Sequence, residues 1–498
     1  MNWQVDAWGL VAVLPLVWVV HSLPHLPGDV AASPMEVPGE LASRGADLIQ
    51  GDDLPYPVHV DEHYHLAQMA EIDRSGHVDI NDPYTGAPSD LGLFTVSGMR
   101  TERGWEIGLV QLSQLTDVSL PTLSHFLPAI WTTYLAFVVW VALRPAPGAL
   151  ASAAFVVLIP TTVRFLGPGF LIPSSFGLPW IIAVLFVAIR ARGPGRFIAL
   201  LLLITGAFFI HMVPGVLALV AGLTAALVQP GKWRDRVALA ASVALPLVWI
   251  VPAIRSDAVA AVTSEHDLPF EPGIFHAAGW PVLGLAIIGT AVAFYRRIPQ
   301  TVPHRVLLGL CLGTSLTMAW SIDAGHASDA TYSRLVQPFF LSLGCLAGLG
   351  VGAVAVYMAG IPFRGLATAG IFLAVIVAAG AALHPLQTRL NEPYYRLYDA
   401  PSWQAAEDFA ASGAGQDDVF LSHPWQAPMY NAVSGARPWT VLRPGSPPER
   451  GEDYDYYIAS GGANATWLKE RDISWVLAPV PPNAPHSATS TGINHLAS

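Results

Sequence analysis

The feature that most constrains this chain is an apolar run that keeps returning at nearly one length. Such runs lie at 8–24, 120–143, 148–165, 173–191, 196–211, 213–228, 237–255, 275–295, 304–321, 335–357 and 365–383. About 20 apolar residues in helical form cross the hydrocarbon core of a bilayer. The runs therefore predict an α-helical polytopic membrane protein with about eleven spanning helices. Charge agrees with this: 12% of the 498 residues are charged and 53% are hydrophobic, whereas a soluble domain carries roughly 25% charged residues. The net charge of −11 excludes a basic nucleic-acid-binding surface as the main theme. Cys311 and Cys345 both fall inside apolar runs, as small packing residues do. The first run is not preceded by Lys or Arg, and Asp6 lies ahead of it. A cleavable signal has a positive leader, so the run is read as a retained first helix.

Orientation follows from the basic residues. Arg144, then Arg190, Arg192 and Arg196, then Lys232, Arg234 and Arg236, then Arg296, Arg297 and Arg305, then Arg364 occupy alternate loops. The opposite loops between the third and tenth runs hold only Arg164, Arg255 and Arg334. The positive-inside rule makes the first set cytoplasmic. The N-terminus is then inside, and the 25–119 loop and the tail beyond His384 are outside.

Two extramembrane pieces stand apart from a transmembrane domain over 1–397. The 25–119 loop is longer than a plain connector and contains an amphipathic helical stretch, Asp61 to Ile72, with Leu66, Met69 and Ala70 on one side. The segment 398–480 turns soluble in character. Its short apolar runs at 419–421, 439–442 and 475–477 alternate with helical stretches near 402–412, 426–433 and 463–470, the pattern of a small α/β domain. Residues 481–498 are rich in Pro, Ser, Asn and Thr and are expected to be disordered.

The densest polar cluster is His59-Val60-Asp61-Glu62-His63-Tyr64-His65, followed by Asp79 and the Asn81-Asp82-Pro83-Tyr84 turn. Acids at a helix start can act by capping N–H groups and favouring the dipole. Three histidines and two acids within seven residues exceed what capping needs. A carboxylate at a membrane interface can serve as a general base. The set Asp61, Glu62, His63, His65 and Asp82 could also hold a divalent cation such as Mg or Mn. The spacing is not the His-Glu-x-x-His of a zinc protease.

The string HVDEHYHLAQMAEIDRSGHVDINDPYTG resembles the first outer loop of GT-C glycosyltransferases, which include oligosaccharyltransferase catalytic subunits and protein O-mannosyltransferases. FLIPSSFGLP, FFIHMVPGVLALVAG, ATYSRLVQPFFLSL and VFLSHPWQAPMYNAVSGARPWTV echo later segments of the same superfamily. The resemblance implies transfer of a sugar or glycan from a polyprenyl-phosphate or pyrophosphate-linked donor to an acceptor on the outer face. It assigns the base or acceptor-organising role to Asp61, with Glu62 supporting. A lipid phosphate at the interface needs a cation. Arg334, at the outer start of the tenth run, has a fork that can hold phosphate oxygens, and His211 and Arg255 are further donor-side candidates. The polar loop 256–272 and Asp323, His326 and Asp329 could complete the wall.

The chain lacks the Trp-Trp-Asp triplet of oligosaccharyltransferases and an Asp-x-His-Pro-Pro string. Sugar and acceptor, whether protein, lipid or glycan, are therefore not inherited from either branch. A transporter or flippase of lipid-linked or small polar cargo is the competing reading, with a non-catalytic accessory scaffold as a third. Transporters place charge within their spans. These spans are nearly free of it, which favours an interfacial enzyme in the cell membrane.

Overall fold

A computed structural model of the chain describes residues 3–22, 39, 60–76, 95–96, 99–100, 103–144, 146–158, 173–229, 231–250, 280–295, 301–323, 329–359, 400–424, 426–440, 448–459, 464–479 and 491–495. Helix lies on every expected apolar run except 365–383, which is outside the described residues. Leu120–Leu143, Pro173–Arg190 and Leu335–Tyr357 are long and apolar enough to cross a membrane. Shorter apolar helices lie at Gly9–Ser22, Ala149–Leu158, Gly195–Ile210, Met212–Val228 and Trp280–Phe294. The run expected over 237–255 is interrupted. Helix Trp233–Ala244 stops at a turn containing Pro246 and resumes as Leu247–Ile250, because proline supplies no N–H to continue the ladder.

The chain divides into two compact units. The first comprises Met1–Leu23, Leu91–Trp105 and Leu127–Arg389. Its core joins Val17, Leu135, Val139, Ile181, Leu185, Ile204 and Ala218, all fully shielded. The same helices turn large apolar side chains outward: Ile198, Leu202, Leu227, Ile287, Leu312 and Leu316 are exposed. A helix apolar on both its packed and its outer side is suited to lipid rather than water.

Close helix packing in this unit runs through glycine. On helix Asp329–Ala359, Gly344, Gly348 and Gly352 recur every four residues and so share one face. A methyl added at Gly348 would meet Ser152, and one at Gly352 would meet Pro147 and Gly148. On another side of the helix, Gly350 lies against Leu285, and Gly289 lies against Leu346. Small residues at this spacing let backbones approach where lipid offers no hydrophobic drive. Ser152 Oγ donates to the Cys345 carbonyl at 3.0 Å across the same contact. Basic residues close the helix ends: the Arg144 guanidinium covers Trp140 at 4.6 Å, and Arg305 Nε donates to the Ala293 carbonyl at 2.9 Å.

The second unit comprises Pro24–Asp90, Glu106–Phe126 and Leu390–Ser498. The helix of the long loop thus groups with the C-terminal part of the chain, not with the flanking apolar helices. It spans Val60–Ser75, longer than the expected Asp61–Ile72. It buries Leu66, Ala67, Gln68, Met69 and Ile72, while Ala70 is half-buried.

A four-stranded sheet belongs to this unit. Numbering strands along the chain, β1 (Thr95–Val96) and β2 (Met99–Arg100) form a separate antiparallel pair in the first unit. The sheet is made of β3 (Val419–Leu421), β4 (Arg437–Pro438), β5 (Trp475–Pro479) and β6 (Thr491–His495), in the order β4-β3-β5-β6. The pairs β3–β4 and β3–β5 are parallel, and β5–β6 is antiparallel. Phe409, Phe420, Tyr430 and Trp475 meet edge-on in its core.

Sequence and structure differ here in three places. The described strand is Arg437–Pro438, ahead of the strand expected at 439–442: Trp439 still donates from its backbone N–H to the Phe420 carbonyl at 2.7 Å and from Nε1 to Asp453 at 2.7 Å, and Val441 and Leu442 are outside the described residues. Helix Pro448–Ala459 was not expected; its Pro448, Gly451 and acid-rich start look like a loop by composition. Part of the tail expected to be disordered forms β6, which pairs antiparallel with β5.

Candidate functional site

Asp61, Glu62 and His63 lie in the first turn of helix Val60–Ser75. Their side chains, like that of Arg334 near the start of helix Asp329–Ala359, are outside the described residues. Asp82, Arg255, loop 256–272 and His326 are outside them entirely, and so are the side chains of Asp323 and Asp329. Among the described residues no group of three or more His, Cys, Asp or Glu side chains comes together as a metal site.

His65 is the described member of the acidic cluster, one helical turn beyond Asp61. Its Nδ1 lies 2.9 Å from Glu106 Oε1, and the two side chains are only 16% and 4% exposed. A carboxylate accepts, so Nδ1 carries the proton in this bond, and in the neutral ring Nε2 keeps the lone pair. Glu106 Oε2 is buried without a hydrogen-bond partner among the described residues. Glu106 was missed in the sequence, yet a signal was present. It falls three and four residues before Leu109 and Val110, both buried, so the apolar stripe of helix Gly104–Thr116 contains a carboxylate.

Further polar contacts fix helix Val60–Ser75 within this unit. Gln114 Nε2 donates to Asp73 at 2.8 Å, and Gln416 Nε2 donates to Glu71 at 3.2 Å. Arg74 pairs with Glu71 at 3.0 Å and lies against Gly435. Gly435 ends helix Ala427–Ser434 at φ 80°, a conformation that glycine adopts without Cβ strain. Beyond the end of β3, partial burial holds His423 below its ordinary pKa against the opposing pull of Asp455. The Tyr454 phenol is raised by burial and by Asp455 and Tyr430.

A buried pair should couple energetically. We expect His65→Ala and Glu106→Ala each to lower the unfolding midpoint, and the double variant to lose less than the two losses added. The coupling expected for side chains in contact is about 0.5–3 kcal/mol. Simple additivity in the four-variant cycle would mean that the pair does not act as a unit.

In the first unit, FLIPSSFGLP and ATYSRLVQPFFLSL meet. Phe176 stacks on Trp131 with ring centroids 3.6 Å apart and meets Trp105 at 4.5 Å. The Trp131 indole donates to the Phe176 carbonyl at 3.1 Å. Ser175 Oγ lies 3.4 Å from Gln337 Oε1, and Gln337 sits one turn beyond Arg334 on the same helix. The start of helix Gly104–Thr116 is pressed close to helix Gly195–Ile210: a methyl on Gly104 would lie 2.8 Å from the Phe209 carbonyl oxygen. His211 caps helix Met212–Val228, its Nδ1 accepting from Val213 N–H at 3.1 Å. That bond makes Nε2 the protonated nitrogen, a donor, which is the opposite tautomer to His65.

No protein-family model matches the chain, and no curated protein does. Solved structures do. The oligosaccharyltransferase of Archaeoglobus fulgidus in its apo form is similar over 94% of this chain and 69% of its own, at 11% identity and a TM-score of 0.56. AglB, an oligosaccharyltransferase of the same organism solved with an inhibitory peptide and a dolichol-phosphate, is similar over 96% and 70%, at 12% identity and 0.54. ArnT from Cupriavidus metallidurans in its apo state is similar over 89% and 93%, at 14% identity and 0.51.

Proposed function

We propose that this chain, which has the GT-C fold, is a membrane glycosyltransferase that moves a sugar or glycan from a polyprenyl-phosphate-linked donor to an acceptor on the outer face. The supporting observation is a conjunction. An oligosaccharyltransferase solved with a dolichol-phosphate is similar in fold over 96% of this chain, and helix Val60–Ser75, after the first apolar segment, carries Asp61 and Glu62 in its first turn. In this reading the Asp61 carboxylate takes the proton of an acceptor hydroxyl or amide. The freed oxygen or nitrogen attacks the anomeric carbon, and the polyprenyl phosphate departs with the electron pair of the broken C–O bond. Glu62 supports Asp61. Arg334, Arg255 and His211 serve the donor phosphate.

A divalent cation would fit beside Asp61, Glu62, His63, His65 and Asp82. The carboxylate of Glu106 behind the His65 ring is the kind of partner that orients metal-ligating histidines. Bound there, the cation would supply charge for orienting the acceptor.

The test is transfer by the purified chain in lipid, given polyprenyl-phosphate-linked sugars and a panel of acceptors. Glycosylated acceptor is expected. Absence of product together with movement of the intact lipid donor across a sealed bilayer would replace the enzyme with a flippase. Activity that survives thorough chelation with EDTA would remove the cation and leave the base.

The proposed topology puts the N-terminus in the cytoplasm and residues 398–498 outside. Reporter fusions after Arg297 and after His384 should then report opposite sides. Agreement between the two would invalidate the placement of Asp61 on the outer face.

A further inference from the structure

Arg103 is 3% exposed, and its Nε and Nη2 are both buried with no hydrogen-bond partner among the described residues. Arg196, Arg305 and Arg437 each have one such nitrogen and are only half-buried. Nε and Nη2 form one edge of the guanidinium, with two N–H groups side by side. That edge matches two oxygens of a phosphate or carboxylate. A buried lysine can shed its proton, but an arginine does not, so a buried guanidinium calls for acceptors, and an anion offsets its charge as well. No described carboxylate hydrogen-bonds to it.

The chain around Arg103 is held firmly. Gly104 lies against the Phe209 backbone, and Trp105 meets Phe176. A guanidinium presented from so fixed a point is pre-organised, and binding then costs little ordering. We propose that Arg103 anchors an oxyanion site that takes a phosphate group through its Nε and Nη2 edge. This rests on the donor reading above and deepens it, because the phosphate of a polyprenyl-phosphate lipid is the occupant that reading supplies. Inorganic phosphate has the same chemistry and is the alternative source.

The experiment measures binding without turnover. The full chain in nanodiscs is titrated with a polyprenyl phosphate, with the matching polyprenol lacking phosphate, and with inorganic phosphate. Arg103→Met should weaken polyprenyl-phosphate binding at least tenfold and leave polyprenol binding unchanged. Arg103→Lys should restore part of the loss, because an ammonium is a point charge without the paired edge.

Loss confined to inorganic phosphate would keep the oxyanion site and give it to the free ion. Wild-type affinity for both phosphate probes in both variants would overturn the proposal and make Arg103 the partner of an acid within the chain. If Arg103→Met does not fold, Arg103→Lys decides alone: a several-fold loss in a folded variant supports the site, and unchanged affinity overturns it. A chain that binds phosphate through Arg103 yet transfers no sugar would sink the transferase reading only. Normal transfer with normal affinity in the variants would sink this proposal only.

Discussion

Asp61→Asn is expected to remove most glycosyl transfer while the protein still folds and inserts. General-base catalysis is typically worth about 10²–10⁴-fold in rate, so the residual rate should fall in that range below wild type. The structural cost should be small. Asp61 is the second residue of helix Val60–Ser75, where a negative charge gains about 0.3–1 kcal/mol from the helix dipole. The near-isosteric amide loses that gain and little else. Unfolding midpoint and transfer rate therefore separate the two roles. If Asp61 only steadies the helix, the midpoint drops slightly and transfer persists near its wild-type rate. Glu62→Gln should cost less than Asp61→Asn if Glu62 tunes its neighbour, and about as much if both hold a cation. Near wild-type transfer by Asp61→Asn would remove Asp61 from the mechanism.

Gly348→Val should have the largest effect on stability. The added side chain would have to occupy the space of the Ser152 backbone and hydroxyl, and backbone cannot rotate aside as a flexible side chain can. Overpacking usually costs about 1–3 kcal/mol and sometimes more. Two helix backbones are in contact here, so we expect the upper end or beyond. Gly313→Val is the control, since among the described residues nothing lies within 4 Å of a methyl there. Detergent-solubilised yield and the thermal midpoint should collapse for the first variant and hold for the second. Equal behaviour of the two would mean that the helices separate there without cost.

The apolar helices could be read from sequence because long apolar runs, the signature of about 20 residues per crossing, repeat along the chain, and three of the described helices are long and apolar enough to cross a membrane. The acidic helix was legible for a related reason: its charges are adjacent. Arg103 and Glu106 were not, since each is a single charge whose meaning depends on burial. Glu106 finds its partner His65 at a separation of 41 positions, a distance that local patterning does not report. His211 was half legible. Its place between two helices was evident, but the cap to Val213 that sets its tautomer comes from backbone geometry. In the sheet, strands at 419–421 and from 475 followed their apolar runs, whereas the strand at Arg437–Pro438 is too short and too polar to announce itself.

Strand β6 also bears on how this protein can be handled. It pairs with the whole of β5, from Trp475 to Pro479, and so covers an edge that would otherwise present a ladder of unsatisfied amides beside Val476 and Leu477. Exposed edges of that kind recruit strands from other chains. Trimming the chain before Thr491, or fusing a bulky partner that pulls this strand away, would turn a well-behaved sheet into a self-association site. Solubility of the purified protein then depends on a segment whose composition gives no hint of it.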